Sequence, residues 1–430
     1  MKLGFSRINI TPDFPVPMAG YFAENRISKG VHDKLYIRAL FFDGAKNGSL
    51  VILQYDLLCL DNVCIDKIYG RLKNNTKDLP VLEKNQILFC AVHTHSGFGG
   101  IFDTEHGVNC ELIPLFGENN PLLVELVVNK SIEAIAEAAR NCVETTIRIN
   151  KGIIEGLGTN RRRQDIPCDN SLLIMEFFRL DRKKILLYNL CCHPTVMNSK
   201  NLLLSADFPG AVAGKLEDIP GGYDMVVFIN GSAGDMSTRF TRSESSFDEC
   251  NRYANNIVTA IESIKKDVFF PLEKAELRYY ALSLKKARPP DPKKARENLQ
   301  NAMQNVKKLK SKNAGIAAIR KAASLVEGAQ ISLLKSDAVE KEETTIDKTV
   351  ETGILRINNT VIICSPFELF SSLALILKEK KAVECFGYVN NLAGYLADCD
   401  AWDNLDYEAL SSDFERGEGE HYIESVSNLI

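Results

Sequence analysis

The chain has 430 residues, of which 25% are charged, and a formal net charge of −4. Charges of both signs are interspersed and no arginine or lysine stripe with interleaved aromatic residues occurs, which argues against a nucleic acid as the main partner. The length would allow two or three average domains, but no Pro-, Gly- or Ser-rich linker divides the chain, so we expect one elaborated domain over residues 1–430.

Nothing in the sequence indicates membrane insertion or export. No apolar run approaches the ~20 residues of a membrane span. The N-terminus opens directly into Leu3–Ile10, which is strand-like and lacks the basic region and apolar core of an export signal. The twelve cysteines are scattered inside apolar runs, as at Cys59, Cys191 and Cys192, which is typical of small buried residues in a reducing compartment. We therefore expect a cytoplasmic protein.

The first half of the chain alternates strands and helices. Ser49–Tyr55 is a buried strand, Asp61 can cap a helix that continues through Gly70, and Gln86–Ala91 is again a strand. This order predicts a βαβ unit.

Two histidines directly follow the second of these strands. His93 and His95 lie in the run 91–100, which ends in a glycine-rich turn. Residues two apart on an extended chain point to the same side, and α/β proteins place their sites at strand ends. Two imidazoles suit a divalent metal such as zinc, but they supply only two of its three or four ligands. A hydrogen-bonded pair at a strand end is the alternative.

A long helix and a basic turn come next. Asn119 or Asn120 can cap the helix, with Pro121 in its first turn and apolar residues along one face to about Asn141. After the run 153–160 come three consecutive arginines, Arg161–Arg163, a pattern that favours a solvated turn.

A predicted β-hairpin leads to another histidine. Ser171–Leu180 and Lys184–Cys192 are strands joined by three polar residues, and His193 follows the second strand. Two separate strands that each lead into histidine strengthen the metal hypothesis. A general base or a hydrogen-bonding core residue remain alternatives for His193.

A turn of small residues follows the next helix and strand. Asp207–Asp218 is predicted as a helix and Met225–Asn230 as a buried strand, which ends in the turn Gly231–Ser237. Such a turn can present backbone N–H groups to a ligand or can simply connect two elements tightly. It contains no GxSxG or GxxxxGK[ST] motif.

The stretch from Leu284 to about Lys348 changes character. After three prolines it becomes rich in Lys, Ala, Glu, Gln and Leu at helical spacing, interrupted near 312–315. We predict an inserted helical hairpin at about 290–348. It either decorates the surface, as amphipathic helix pairs usually do, or forms a lid over a substrate.

The chain then returns to strands. These are predicted at 353–357, Thr360–Cys364 and Glu384–Val389, with a helix from Glu368 to about Lys378. Glu368 is either a helix-start carboxylate or a third metal ligand beside two histidines. The predicted fold class is α/β, with mixed β-sheets and flanking helices.

Many short motifs occur in one order along nearly the whole chain, and in this order they resemble the catalytic domain of the neutral/alkaline non-lysosomal ceramidase family. The motifs are Met18-Ala19-Gly20-Tyr21, Gly30-Val31-His32, Arg38-Ala39, His93-Thr94-His95-Ser96-Gly97 with Gly99-Gly100, Asn160-Arg161, His193-Pro194-Thr195 with Met197-Asn198 and Asn201, Gly234-Asp235 with Ser237, Pro366 with Glu368, and Asn391 to Tyr395 with Tyr407-Glu408.

The resemblance implies a zinc amidase that cleaves N-acyl sphingosines. It implies Zn²⁺ held by His93, His193, Glu368 and Tyr395, and a lipid or small-molecule N-acyl amide as substrate. Besides these ligands, it implies five residues that orient the amide, hold the oxyanion and protonate the amine: His95, Arg161, Asp235, Ser237 and Tyr407.

The chain departs from the family pattern in three respects. Thr238-Arg239 follows Ser237, where the family usually has Pro-Asn. The export signal and the C-terminal β-sandwich of longer ceramidases are not found, and the hairpin at 290–348 is additional. We therefore expect a smaller or more soluble N-acyl compound to be preferred over ceramide.

Two other functions remain open. A serine-type esterase or amidase would use Ser237 as its nucleophile, although no elbow motif surrounds this residue. A non-catalytic binding protein stabilised by zinc would keep the ligand set without the residues that handle protons.

Overall fold

The computed structural model describes residues 1–23, 25–46, 48–74, 81–104, 112–338 and 347–430. Its strands, in chain order, are β1 (Lys2–Asn9), β2 (Gly30–Val31), β3 (Tyr36–Ala45), β4 (Gly48–Tyr55), β5 (Ile87–Ala91), β6 (Val143–Ile153), β7 (Thr159–Asn160), β8 (Ser171–Arg179), β9 (Lys184–Leu190), β10 (Leu203–Leu204), β11 (Met225–Asn230), β12 (Met236–Ser237), β13 (Phe270–Pro271), β14 (Ala275–Lys285), β15 (Asp347–Ile357), β16 (Thr360–Cys364), β17 (Glu368–Leu369), β18 (Glu384–Phe386) and β19 (Tyr395–Leu396).

The helices lie outside the sheets. In chain order they are α1 (Asn62–Asn74), α2 (Ile113–Phe116), α3 (Pro121–Arg140), α4 (Asp207–Glu217), α5 (Phe247–Ile264), α6 (Pro292–Ser311), α7 (Ile316–Ala338), α8 (Ser371–Lys381), α9 (Cys399–Asp403), α10 (Tyr407–Ser411) and α11 (Glu418–Ser427). No helix in the described ranges is long and apolar enough to cross a membrane.

A large mixed sheet and a smaller one form the centre of the molecule. The large sheet has the order β11-β9-β8-β6-β1-β3-β4-β5, with β13 beside β6. Its strands pair antiparallel except for the parallel pairs β4–β5 and β9–β11. The smaller sheet has the order β14-β15-β16-β18. The predicted α/β class with mixed sheets is therefore confirmed.

Alternating apolar residues explain the layers. On β3 and β4, Phe42 and Ile52 face a central core that both sheets share, whereas Phe41 and Val51 face the core under α1 and α3. Where β8, β9 and β11 form the large sheet, the face away from the shared core packs against α4 and α5. The outer face of the smaller sheet packs against α8 and α11. Each sheet surface is thus buried, either on the shared core or under helices.

Several predicted elements are confirmed. The strands β4 and β5 pair in parallel around α1, as the βαβ prediction requires. Asp61 Oδ1 accepts a hydrogen bond from the Val63 N–H at 3.0 Å and caps α1, which runs past Gly70 to Asn74. Asn120 caps α3 in the same way through the Leu122 N–H. The strands β8 and β9 form the predicted hairpin.

The prediction of a helix beginning at Glu368 is wrong. Glu368 and Leu369 pair in parallel with Tyr395 and Leu396, and α8 begins only at Ser371. The cause is tertiary pairing, which holds Glu368 in extended conformation beside Tyr395.

The predicted helical hairpin is confirmed as α6 and α7. It is inserted between β14 and β15, which are antiparallel neighbours in the smaller sheet. Residues 339–346 of the predicted insertion lie outside the described residues.

Candidate metal centre and active site

The loops after β5, β9 and β11 meet at one place. Asn230, the last residue of β11, is fully buried, and its side-chain amide donates to the carbonyl oxygens of Val92 at 3.3 Å and Cys192 at 3.1 Å. These residues immediately precede His93 and His193. The hydrogen bonds from Asn230 therefore hold the two histidine segments side by side.

His93 and His95 point the same way, but not because the chain stays extended. His93 lies beyond the end of β5 and has a φ of 69°, in the left-handed region. The ring centroids of His93 and His95 are nevertheless 5.0 Å apart, and their Nε2 atoms are 3.4 Å apart. The predicted convergence is confirmed, whereas the extended geometry given as its cause is wrong.

Backbone carbonyls fix the tautomers of His93 and His193. His93 Nδ1 lies 2.9 Å from the Leu58 oxygen, and His193 Nδ1 lies 2.7 Å from the Ala233 oxygen. Because a carbonyl only accepts hydrogen bonds, each Nδ1 carries a proton, and each Nε2 is the nitrogen that can offer a lone pair to a metal. Burial and the nearby Arg161 lower the pKa of His193 to about 4, so its ring is neutral at pH 7.

Both Nε2 atoms face one carboxylate oxygen. Glu368 Oε2 lies 3.0 Å from His193 Nε2 and 3.3 Å from His93 Nε2. Burial would raise the pKa of Glu368, but the adjacent His93 and His193 more than offset it and hold the pKa well below its usual range. The carboxylate is therefore ionised.

This arrangement fits a divalent cation. Two imidazole Nε2 atoms and an ionised carboxylate converge at these distances, so either a proton or a cation must lie between them. Neutral imidazole and carboxylate are the ligands that zinc and related metals take in catalytic sites. His95 also belongs to the cluster, because one nitrogen of each of His93, His95 and His193 lies within 4.8 Å of the others. Its Nδ1 is buried without a hydrogen-bond partner among the described residues.

Tyr395 stands beside Glu368 because β17 and β19 pair these two residues. Its hydroxyl oxygen accepts a hydrogen bond from Arg161 Nη2 at 2.9 Å. Burial raises the pKa of Tyr395, and the positive charge of Arg161 opposes that effect. The ring of Tyr407 lies 5.6 Å from that of Tyr395. All four of the ligands implied by the family resemblance thus lie in one region.

The prediction of a solvated basic turn at Arg161–Arg163 is wrong for its first two residues. Arg161 is buried, and its Nε donates to Glu408 at 2.6 Å. Arg162 is buried among carboxylates and donates to Asp406 at 2.7 Å. Arg163 alone is exposed. Since the paired acids lie more than 230 residues along the chain, no local charge pattern predicts them.

Asp235 and Ser237 lie in the tight connection after β11. Asp235 accepts hydrogen bonds from the Ser371 N–H at 2.6 Å and from Asn160 Nδ2 at 2.8 Å, so it anchors the start of α8. Ser237 Oγ accepts from the Arg239 N–H at 3.2 Å. A Cβ at Gly234 would lie 2.3 Å from the Glu368 carbonyl oxygen. This contact explains why a residue with no side chain stands there.

A cavity of about 570 Å³ opens onto the cluster. His93, His95, Glu368, Tyr395 and Tyr407 form its polar wall. The cavity also has an apolar wall, which includes Leu58, Leu60, Phe102, Leu115, Phe116 and Ile331. This size and mixed lining are typical of small-molecule sites. Neither the apolar wall nor the carbonyl of Leu58 was predicted, because apolar loop residues carry no motif.

The helical hairpin is part of this cavity. Ile331 and Lys335 of α7 belong to the lining, and Lys335 Nζ donates to Asp413 at 2.6 Å. The inner helix α7 therefore closes one side of the cavity, while the outer helix α6 buries only Ala295. Surface decoration describes α6 but not α7.

Several known proteins are similar to this chain in sequence. The family model described as neutral/alkaline non-lysosomal ceramidase, N-terminal, matches residues 1–264. A neutral ceramidase of Oryza sativa subsp. japonica is 25% identical over 231 residues, which are 50% of this chain and 28% of that protein. A neutral ceramidase of Pseudomonas aeruginosa is 32% identical over 101 residues, 23% of this chain and 15% of that protein. The chain spans less than a third of the length of these curated relatives.

Solved structures match over almost the whole chain. The crystal structure of neutral ceramidase from Pseudomonas aeruginosa has a TM-score of 0.76 at 17% identity, covering 99% of this chain and 73% of that one. A structure of a ceramidase complexed with C2 has a TM-score of 0.75 at 16% identity, covering 98% and 73%. At these identities the likeness shows the fold, and it includes the region of Glu368, Tyr395 and Tyr407 beyond the family match.

Proposed function

Because the chain belongs to the neutral/alkaline non-lysosomal ceramidase family, we propose that it hydrolyses an N-acyl amide bond with a zinc ion held by His93, His193, Glu368 and Tyr395. The observation that carries this proposal is the pair of imidazole Nε2 atoms that face one oxygen of Glu368 at 3.0 and 3.3 Å. When bound, zinc supplies a Lewis acid for the scissile carbonyl and makes water nucleophilic at neutral pH.

The residues around the cluster can bind the substrate oxygen, accept a proton and orient Tyr395. Tyr407 lines the cavity, and burial raises its pKa, so its protonated hydroxyl can donate a hydrogen bond to the substrate oxygen. His95, neutral and partly unpartnered, is the residue that accepts a proton, or a further metal ligand. Arg161 lies behind the tyrosines, where its contact with Tyr395 orients that side chain.

Geometry favours zinc chemistry over a serine nucleophile. A serine hydrolase would need a histidine within hydrogen-bond reach of Ser237. Both ring nitrogens of His193 have partners other than Ser237, since Nδ1 faces backbone carbonyls and Nε2 faces Glu368. A non-catalytic binding role gains no support from the cavity, which has polar donors beside the cluster.

We expect Ser237→Ala to lower kcat by about tenfold, as loss of a hydrogen bond to the substrate or oxyanion does, while the bound metal is retained. Mass spectrometry after rapid mixing with substrate checks the assignment of Ser237. An acyl-enzyme trapped on Ser237 would show that it is the nucleophile.

The cavity supports a substrate with both an acyl chain and a polar end. Leu115 and Phe116 represent its apolar part, whereas Lys335, Lys348 and Asp413 form a charged part. We propose that a smaller or more soluble N-acyl compound is preferred and that ceramide is a poor substrate. The hairpin, through Ile331, contributes to this specificity.

A substrate panel tests the proposed function. N-acyl amines of graded chain length and ceramide in mixed micelles are supplied to the zinc-loaded protein, and release of the amine is measured. We expect turnover of soluble amides to exceed that of ceramide. Ceramide turnover well above all soluble amides would contradict the substrate proposal, and no turnover of any amide would contradict the function.

A further inference from the structure

The inner helix of the hairpin is attached along the segment that carries Tyr407. At one end Lys321 Nζ forms an ion pair with Asp406 Oδ1 at 3.8 Å. In the middle, a Cβ at Gly328 would lie only 3.2 Å from the Tyr407 ring. At the other end Lys335 donates to the Ser411 carbonyl at 2.7 Å. These contacts run from Lys321 to Lys335, which are separated by roughly 21 Å along α7.

Arg239 connects this helix to the candidate active site. Its Nη2 donates to Ser324 Oγ of α7 at 2.7 Å, and its Nη1 donates to the carbonyl oxygen of Arg161 at 3.0 Å. Its own N–H donates to Ser237 Oγ. A single residue therefore joins the hairpin, the segment after β7 that carries Arg161 and the strand β12 that carries Ser237.

Arg161 in turn contacts three side chains of the cluster. Its Nη2 donates to Tyr395 at 2.9 Å, its Nε donates to Glu408 at 2.6 Å, and its Nη1 lies 3.5 Å from His193 Nε2. A shift of the Arg161 backbone would therefore disturb the tyrosine and the carboxylate together.

The position of Arg239 is electrostatically expensive. Burial and the like charge of Arg161 lower the pKa of Arg239 to about 10. Two guanidinium groups close together repel each other, so this position carries an electrostatic cost. Arg239 also stands where the family resemblance implies asparagine.

We propose that Arg239 is a positioning residue that couples the helical hairpin to Arg161, so that the hairpin is a working part of the active site. The reaction itself rests on the proposed function. The position of Arg161 does not, because it can be measured without turnover.

Variants at both ends of the contact test the coupling. Arg239→Gln is expected to lower kcat by about 10- to 100-fold, the usual cost of removing a residue that orients a metal site, with KM and metal content little changed. Ser324→Ala, which deletes one hydrogen bond, is expected to lower kcat by about fivefold, and Ser324→Thr to restore it. The matched control is Arg296→Gln, which removes an exposed hairpin ion pair with Asp337 and leaves kcat unchanged.

The second readout is the ¹⁵N NMR signal of the Arg161 Nε–H, which is assigned with Arg161→Lys. We expect this signal to shift in Arg239→Gln and Ser324→Ala but not in Arg296→Gln. An unshifted signal in both variants overturns the coupling, and so does an unchanged kcat in both. If the parent protein hydrolyses no amide, the proposed function fails, and the NMR signal alone decides whether the coupling exists. Ser324→Ala keeps the test valid if Arg239→Gln does not fold.

Discussion

Glu368→Gln is expected to abolish tight metal binding and to lower kcat/KM by at least about 10³-fold, the factor that corresponds to the several kcal/mol a catalytic metal contributes. The amide has the same shape as the carboxylate but carries no negative charge. Its NH₂ group can also donate to the lone pairs of His93 and His193, which the carboxylate cannot do. The substitution therefore fills the cation position with a hydrogen-bond donor.

For the metal-free protein, Glu368→Gln is expected to cause no loss of stability. In the metal-free parent, the Glu368 carboxylate lies 3.0 and 3.3 Å from two imidazole Nε2 atoms, and a proton must lie between these groups to join them. The NH₂ group of the variant supplies a hydrogen-bond donor at this place, so the metal-free variant should unfold at a temperature no lower than the metal-free parent. Thermal unfolding with and without added zinc checks this, with the surface variant Glu351→Gln as control. A variant destabilised without zinc would indicate a general packing role for Glu368.

Arg161→Gln is expected to lower kcat by about 10²- to 10³-fold, as removal of a preorganised charge at an active site does. It should also lower the free energy of unfolding by about 3–5 kcal/mol, because Glu408 would be left buried without its partner. The neighbouring Arg163→Gln is the matched control, since the side chain of Arg163 is 48% exposed.

A double variant separates the two effects of Arg161→Gln. Adding Glu408→Gln removes the unpaired buried charge, so stability should recover while kcat stays low. Urea unfolding and steady-state kinetics on the single and double variants measure both quantities. Recovery of kcat together with stability would mean that Arg161 contributes only to the folded state.

The sequence predicts the parts of the site that depend on local pattern. Apolar runs that lead into His93 and His193 identify the two histidine segments, and Asn120 and Asp61 cap the helices expected of them. These features depend on neighbouring residues alone. The sequence predicts that His93 and His193 share a metal site because both follow buried strands.

The rest depends on contacts between distant parts of the chain. Glu368 is extended because it pairs with Tyr395, which a helix-start pattern cannot reveal. Arg161 is buried because Glu408 neutralises it from 247 positions away. The role of α7 cannot be predicted for the same reason, because the sequence of an amphipathic helix does not show what its apolar face packs against. Ile331 faces the cavity only because the hairpin folds back over α10.

The position of Arg239 shows how a departure from a family pattern can be interpreted. In the sequence, Thr238-Arg239 indicates only that the loop departs from the family pattern. In the structure Arg239 reaches Ser324 in the hairpin. A residue beside the site and a helix 85 positions along the chain are therefore joined by one hydrogen bond.

The metal content of the purified protein, measured together with amidase activity, tests the central claim most directly. Elemental analysis should give one zinc per chain. Removal of the metal with a chelator should abolish amide hydrolysis, and one equivalent of zinc should restore it, whereas His193→Ala should neither bind the equivalent nor recover activity. Full amidase activity in metal-free protein, or one bound zinc and normal activity in His193→Ala, would contradict the account.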